Sequence, residues 1–456
     1  MSNPGAATFH LFRHRGVHCL IDVEGMRTQR LSGRAARTLL GLGGTGEPSA
    51  VRRLLSQLGV HEPAGPPPSP IRRALPVTNI ALFVTHACNL RCRYCYAGAG
   101  ETETGPAMSR ATALAAIDWL MKGAGDARVL RIGFMGGEPL LRLGLIKGAV
   151  AHAQTQARAH DKRVLFYTST NGTTLSRGVV EFLARHRFSV QVSIDGPAEL
   201  HDAQRPFKDG RGSFSAIAPG ARRLLGAIPD ASAHAVLYRD LDPQPIRDTL
   251  LAMGFKNISE LPASPPVSGP DASGPRKGQQ SILSRMERDA EAWLRAVREG
   301  SLPTLARLAA TTGLYAPLRM LLHGIKSHFP CGAGLGLVGV GADGGLYPCQ
   351  RFVGRTSHRI GMLDHRSVRA DAFRDSPIHT IEACRDCFAK YYCAGGCRYD
   401  HAASNDSPQR PAAWMCQYRR RQFELAAYVI SGLGEAQRRL LADQRILPPK
   451  PCPLDF

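Results

Sequence analysis

The chain has 456 residues, 58 of them lysine or arginine and 37 aspartate or glutamate, for a formal charge of +21. That length exceeds one compact core and implies two or three domains, while 43% apolar and 21% charged residues describe an ordinary folded protein. No run approaches the roughly 18 apolar residues that span a bilayer, and MSNPGAATFHLFRHRGVHCLIDV lacks the apolar core of a secretory signal, so a soluble cytoplasmic protein is expected.

In chain order, Thr8–Arg13, His18–Val23 and Arg27–Leu31 read as three short strands, with Cys19 as a small buried hydrophobe. Ser32 caps a predicted helix through Leu42, and Glu47 begins another that ends near Gly59. HEPAGPPPSP (61–70) is a stiff linker. From Asn79 to about Glu260, strand-like and helix-like segments alternate. The predicted strands are Ile80–Thr85, Val129–Phe134, Val164–Ser169, Ser189–Ile194, His234–Tyr238 and Asn257–Leu261, with helices such as Ser109–Leu120 and Leu143–Ala159 between them. Six such units predict an α/β fold with a parallel sheet and functional residues at the carboxyl ends of its strands. Residues 262–279 read as a flexible excursion, followed by a long helix Ser281–Gly300.

Twelve cysteines in an unsecreted chain indicate metal binding rather than disulfides. Cys88, Cys92 and Cys95 stand at C-x3-C-x2-C spacing just after the first predicted strand of the alternating region. Three thiolates hold three irons of a cubane and leave the fourth open for chemistry, whereas an electron-carrying [4Fe–4S] cluster takes four. A second series comprises Cys331, Cys349, Cys384, Cys387, Cys393, Cys397 and Cys416, while Cys452 is a free thiol in a proline-rich tail. A zinc knuckle or a chance cluster is the alternative for the triplet, and a zinc ribbon for the C-x2-C pair Cys384 and Cys387 alone. The positive charge suits nucleic acid or an acidic polypeptide. No nucleic-acid-binding pattern accompanies it, so the polypeptide ranks first.

The triplet in THACNLRCRYCY, with Tyr94 before its last cysteine, resembles the signature of radical S-adenosylmethionine (SAM) enzymes. About forty residues on, MGGEPLL supplies Gly136, Gly137, Glu138 and Pro139, similar to the family's GGEP motif, whose backbone groups bind the amino end of SAM. The resemblance implies a partial (β/α)6 barrel with a cluster-bound SAM cleaved to methionine and a 5′-deoxyadenosyl radical. It also implies SAM contacts from Ser169 and Asn171 in STNG, from Ser193 and Asp195 in SIDGP, and from Arg205, whose guanidinium would grip the SAM carboxylate.

The second cysteine series matches the SPASM extension of peptide- and protein-modifying members. The resemblance implies two auxiliary [4Fe–4S] clusters, three in all: one on Cys384, Cys387, Cys393 and Cys416, another on Cys331, Cys349 and Cys397 with a place open for a substrate thiolate. The N-terminal strands and helices resemble a winged-helix peptide-recognition element. Expected boundaries are 1–60 for that element, 61–75 for the linker, 76–310 for the barrel, 311–430 for the SPASM domain and 431–456 for a tail.

CGAGLGLVGVGADGGLYPCQRFVG and CRDCFAKYYCAGGC look most like thioether-forming maturases, those of ranthipeptides and of the small subunit of quinohemoprotein amine dehydrogenase. The implied partners are a cysteine-containing, acidic peptide and a flavodoxin or ferredoxin donor. Formylglycine-forming anaerobic sulfatase maturases are the main alternative. They carry an aspartate, a base, immediately after the cysteine matching Cys349, where this chain has Gln350. Asp343, Asp400 and His401 are then the base candidates. Carbon–carbon crosslinking and a non-catalytic electron relay are further alternatives.

Overall fold

The computed structural model describes residues 8–45, 48–60, 76–97, 105–238, 243–264, 279–364, 373, 375–443 and 446–448. The predicted linker 61–75, most of the 262–279 excursion and Cys452 in the tail lie outside these residues.

Two compact units form, neither continuous in sequence. One comprises Met1–Pro70, Lys277–Cys331 and Ser376–Phe456, the other Ile71–Arg276 and Gly332–Asp375. The second cysteine series is therefore divided: Cys349 falls in the second unit and the other six in the first.

In the first unit, β1 (Phe9–His14), β2 (Val17–Asp22) and β3 (Arg27–Leu31) form an antiparallel meander within a residue or so of expectation. Its first turn is Arg15–Gly16, both at positive φ (46° and 80°), a two-residue loop whose twist suits the flanking strands. The helices Gly33–Thr45 and Pro48–Gln57 follow, and Phe9, Leu20 and Leu39 make a small core. The predicted long helix is found as Gln279–Glu299, and a further helix spans Ala413–Ser431.

The second unit is built on a nine-stranded sheet. Its first six strands in sequence are β4 (Asn79–Thr85), β5 (Val129–Gly136), β6 (Arg163–Thr170), β7 (Ser189–Ser193), β8 (Ser232–Leu237) and β9 (Asn257–Pro262). They lie side by side in chain order and all parallel, as the alternation predicts. All seven residues of β4 are buried, and the five between Asn79 and Thr85 form an unbroken apolar run. Its neighbours are sheathed by helices such as Arg110–Gly123, capped by Ser109, and Leu143–Ala159.

The expectation of six strands falls short at the other edge. There β10 (Leu337–Val340) pairs parallel to β4, and β11 (Gly345–Tyr347) and β12 (Gly361–Met362) extend the sheet antiparallel. Strands of two to four residues in a glycine-rich stretch carry too few side chains to show an alternation of period two.

Candidate functional site

The loop after β4 carries Cys88, Cys92 and Cys95, and main-chain bonds hold it. Arg91 N–H donates to Pro206 O (2.8 Å), Arg93 N–H to Gln204 O (3.0 Å), and Leu90 bridges Phe207. The Cys88 sulfur accepts from Leu90 N–H (3.4 Å) and from Asn171 Nδ2 (3.6 Å). Burial pushes all three thiols up, Cys92 to about 12. Metal coordination would displace such protons. N–H donors on sulfur and three cysteines lining one cavity suit an iron–sulfur cluster, although their side chains do not close on a single point.

Glycine is required where β5 ends. A Cβ on Gly136 would lie 2.3 Å from Thr85 O, and one on Gly137 would lie 2.5 Å from the carbonyl oxygens of both His86 and Ala87. This contact sets the β5 turn directly beneath the cysteine loop. Gly137 and Glu138 donate their N–H groups to Thr85 O and Ala87 O (2.9 Å each), so the turn has carbonyl oxygens rather than N–H groups to offer a ligand.

Glu138 is fully buried. Its carboxylate accepts from Leu140 N–H (3.0 Å), Thr170 Oγ1 (2.8 Å) and Asn171 N–H (2.7 Å), tying the end of β5 to the end of β6. Burial raises its carboxyl to about 7 against those bonds. Pro139 opens the short helix that follows and is likewise buried. Neither residue lines the cavity described below, which makes them supports rather than contacts.

Arg205 already grips a carboxylate, and it is the protein's own. Its Nε and Nη2 donate to Asp195 Oδ2 and Oδ1 (2.9 and 3.2 Å), and both residues are buried. Tyr94 donates its hydroxyl to the same carboxylate, Val236 N–H adds a bond of 3.0 Å, and the guanidinium lies 5.2 Å from the Tyr94 ring centroid. Burial alone would raise the Asp195 carboxyl, but the charge and hydrogen bonds of Arg205 outweigh it and hold it below the ordinary range. Asp195 does not line the cavity, although Arg205, Tyr94 and Ser193 do. Behind the pair, His201 accepts from Asp195 N–H (3.2 Å) and faces Ser213 Oγ (3.0 Å), and burial lowers it to about 4.

These groups open onto one cavity of about 450 Å³, within the usual range for small-molecule sites. The three cysteines, Tyr94, Gly136, Gly137, Ser169, Asn171, Ser193 and Arg205 all line it. The sequence reading missed His86, Tyr96, Gln191, His234 and Arg351 there. His234 had a signal: β8 alternates buried Ala233, Ala235 and Leu237 with inward-facing His234 and Val236. Burial lowers His234 to about 4, so it is a neutral imidazole, and its Nδ1 has no hydrogen-bond partner. Among the described residues lining this cavity there is no aspartate or glutamate, while the arginines Arg91, Arg205 and Arg351 do line it. Gln350 stands at its wall with a buried, unpartnered Oε1.

None of the three base candidates lines this cavity. Asp343 is half-exposed and bonded to Arg359 (2.7 Å) and to Gly345 N–H (3.0 Å). Asp400 and His401 belong to the first unit, both buried. His401 sits 3.2 Å from Pro408 O through Nδ1, and burial lowers it to about 4.

In that unit Cys384, Cys387, Cys393 and Cys416 line a separate small cavity with Arg419 and Arg420. Burial, then the neighbouring thiols, raise Cys384 to about 12, and burial raises Cys393 to about 11. Arg420 Nε donates to the Cys387 sulfur (3.5 Å). Among the described residues no three His, Cys, Asp or Glu side chains close on a point as one metal ion would require; these sulfurs ring a space instead.

Residues 82–253 match the model of the radical SAM superfamily. The serine-type anaerobic sulfatase-maturating enzyme of Klebsiella aerogenes is 26% identical over 70% of this chain and 79% of its own. The cysteine-type enzyme of Clostridium novyi (strain NT) is 22% identical over 68% and 85% respectively. Among solved structures, anSMEcpe with bound AdoMet superposes with a TM-score of 0.65 at 19% identity, covering 78% of this chain and 98% of that one. Streptococcus suis SuiB bound to S-adenosylmethionine gives 0.51 at 15% identity, covering 90% and 99%. These structural likenesses show a shared fold. Residues 82–253 form a radical SAM domain.

Proposed function

We propose that this radical SAM enzyme is a peptide or protein maturase that joins a cysteine sulfur to a carbon of the same ribosomally made substrate through a thioether. The observation that carries the choice of chemistry is Gln350. It occupies the cavity wall at the position where formylglycine-forming relatives carry a carboxylate base, and no described aspartate or glutamate lines the cavity to replace it. An amide does not accept a proton near neutral pH.

Cys88, Cys92 and Cys95 would hold the cluster. The carbonyls of the Gly136–Gly137 turn, with Ser169, Asn171 and Ser193, would surround SAM. Bound together, the cluster and SAM supply a radical able to take a hydrogen atom from an unactivated carbon. The protein contributes placement. The Asp195–Arg205–Tyr94 set stiffens one wall, and Arg91 and Arg351 favour an acidic substrate. His234 is a neutral imidazole at the cavity wall with an unpartnered Nδ1. The second cysteine series would hold two auxiliary clusters, with a flavodoxin or ferredoxin as the reductant.

Formylglycine formation is the second reading, favoured by the sequence relatives. Anaerobic co-expression with the cysteine-containing peptides encoded beside the gene separates the two. Loss of two hydrogens per cysteine, with that cysteine resistant to alkylation, is the expected product. A cysteine converted to an aldehyde would replace the thioether reading with the second.

A further inference from the structure

We propose that Arg398 is a buried counter-cation of the second cysteine series, in addition to Arg419 and Arg420, and a positioning residue that helps set the electron affinity of the clusters those cysteines hold. The inference rests on reading that series as iron–sulfur ligands.

Arg398 follows Cys397 directly, opens the helix Arg398–Asn405 and is only 4% exposed. Its guanidinium is fixed by two backbone carbonyls: Nη2 donates to Ser376 O (2.6 Å) and Nη1 to Pro408 O (3.4 Å). Carbonyls orient a cation but do not neutralise it. Among the described residues no carboxylate forms an ion pair with it, and a buried charge without a counter-ion is costly. The other buried arginines among the described residues show the contrast: Arg205 has Asp195, Arg247 has Glu260 and Arg285 has Asp289.

The direct contacts of Arg398 are the two carbonyls and Gly395, and the thiols near enough to act on its charge belong to four cysteines. Cys384, Cys331, Cys393 and Cys397 are its electrostatic neighbours, members of both expected ligand sets. Gly395, in the turn Ala394–Gly395–Gly396 with all three residues at positive φ, packs against the guanidinium: a Cβ there would lie 3.5 Å from both Nη1 and Nη2. Free thiols are neutral and leave the cation unmatched, whereas iron-bound thiolates are anionic and match it. An electron delivered to either cluster, by dithionite in vitro or by the substrate radical as it is oxidised in turnover, adds one negative charge beside Arg398. A fixed cation stabilises that reduced state. Such a device suits a cluster that receives electrons from substrate.

The test uses the full-length protein with Cys88, Cys92 and Cys95 all changed to alanine, so that only auxiliary clusters remain. It is reconstituted anaerobically and titrated with dithionite while the spectrum of the reduced clusters is recorded. Adding Arg398→Gln is expected to weaken electron binding at least tenfold, a midpoint lower by ~59 mV for a one-electron couple. Arg398→Lys, which keeps the charge, should stay within threefold of the parent. Full iron with unchanged midpoints in Arg398→Gln overturns the proposal. If Arg398→Gln does not fold, Arg398→Lys decides: parental iron and midpoints support a charge role. A folded Arg398→Lys that has lost auxiliary iron overturns it, because the guanidinium's shape, not its charge, would then be what matters. A parent that binds no iron would sink the iron–sulfur reading itself, a different failure from unchanged midpoints.

Discussion

Glu138→Gln isolates the titration of one buried carboxyl. Burial raises Glu138 from 4.5 to about 7. The folded state therefore holds a proton that the unfolded chain releases, and the associated stability is complete below pH 4.5 and is lost as pH rises towards 7. A shift of this size corresponds to about 3 kcal/mol in full, at 1.36 kcal/mol per unit. Between pH 5.5 and pH 8 the wild type should lose about 2 kcal/mol through this residue alone. Glutamine does not titrate. It keeps the shape but turns an NH2 towards either Asn171 N–H or the donors Leu140 N–H and Thr170 Oγ1, costing about 1–3 kcal/mol at every pH. The variant should thus be clearly weaker at pH 5.5 and gain about 2 kcal/mol relative to wild type by pH 8. Urea unfolding of both cluster-free proteins at the two pH values, followed by circular dichroism, measures the change in the gap. A gap independent of pH would refute the reasoning, and so would one that widens with rising pH.

Gly137→Ala drives a methyl against the His86 and Ala87 carbonyl oxygens, 2.5 Å away, which requires backbone movement at about 1–3 kcal/mol. Iron analysis should show the barrel cluster depleted, whereas Gly144→Ala, with nothing within 4 Å, keeps its full complement. Asp195→Asn leaves the Arg205 cation buried without its anion; a loss of about 3–5 kcal/mol in thermal or chemical denaturation is expected. Gln350→Asp places a carboxylate in the cavity wall, and a cysteine peptide should then yield some aldehyde, detectable by hydrazide labelling; none would count against the role given to this position.

The elements that the sequence made legible are those whose signal is local. The spacing of Cys88, Cys92 and Cys95 lies within a single loop, and the six parallel strands announce themselves as apolar runs of five to eight residues between helices. The Gly136–Gly137 turn was legible as a motif, but the reason for its glycines, the cysteine loop pressed against it, is a tertiary contact. Pairings between distant residues were hidden. Arg205 was read as waiting for a ligand's carboxylate, and only the fold brings Asp195 beneath it. The absence of carboxylates from the cavity wall is likewise a property of the assembled surface, since no one segment displays it. The joining of 332–375 to the sheet, rather than to the cysteines that follow, depends on β10 pairing with β4 across more than 250 residues.

The cysteine loop is held by peptide groups, through Arg91 to Pro206 and Arg93 to Gln204, with the β5 turn beneath it. None of these bonds involves a thiol. The iron-free enzyme should therefore retain this loop, unlike a zinc finger, which unfolds when its metal is removed. Metal arrival and chain folding become separate events. A scaffold protein or a transfer of ferrous iron and sulfide would meet a receptacle already formed, so that cluster loss under oxygen would be a repairable injury and the same polypeptide could be recharged many times.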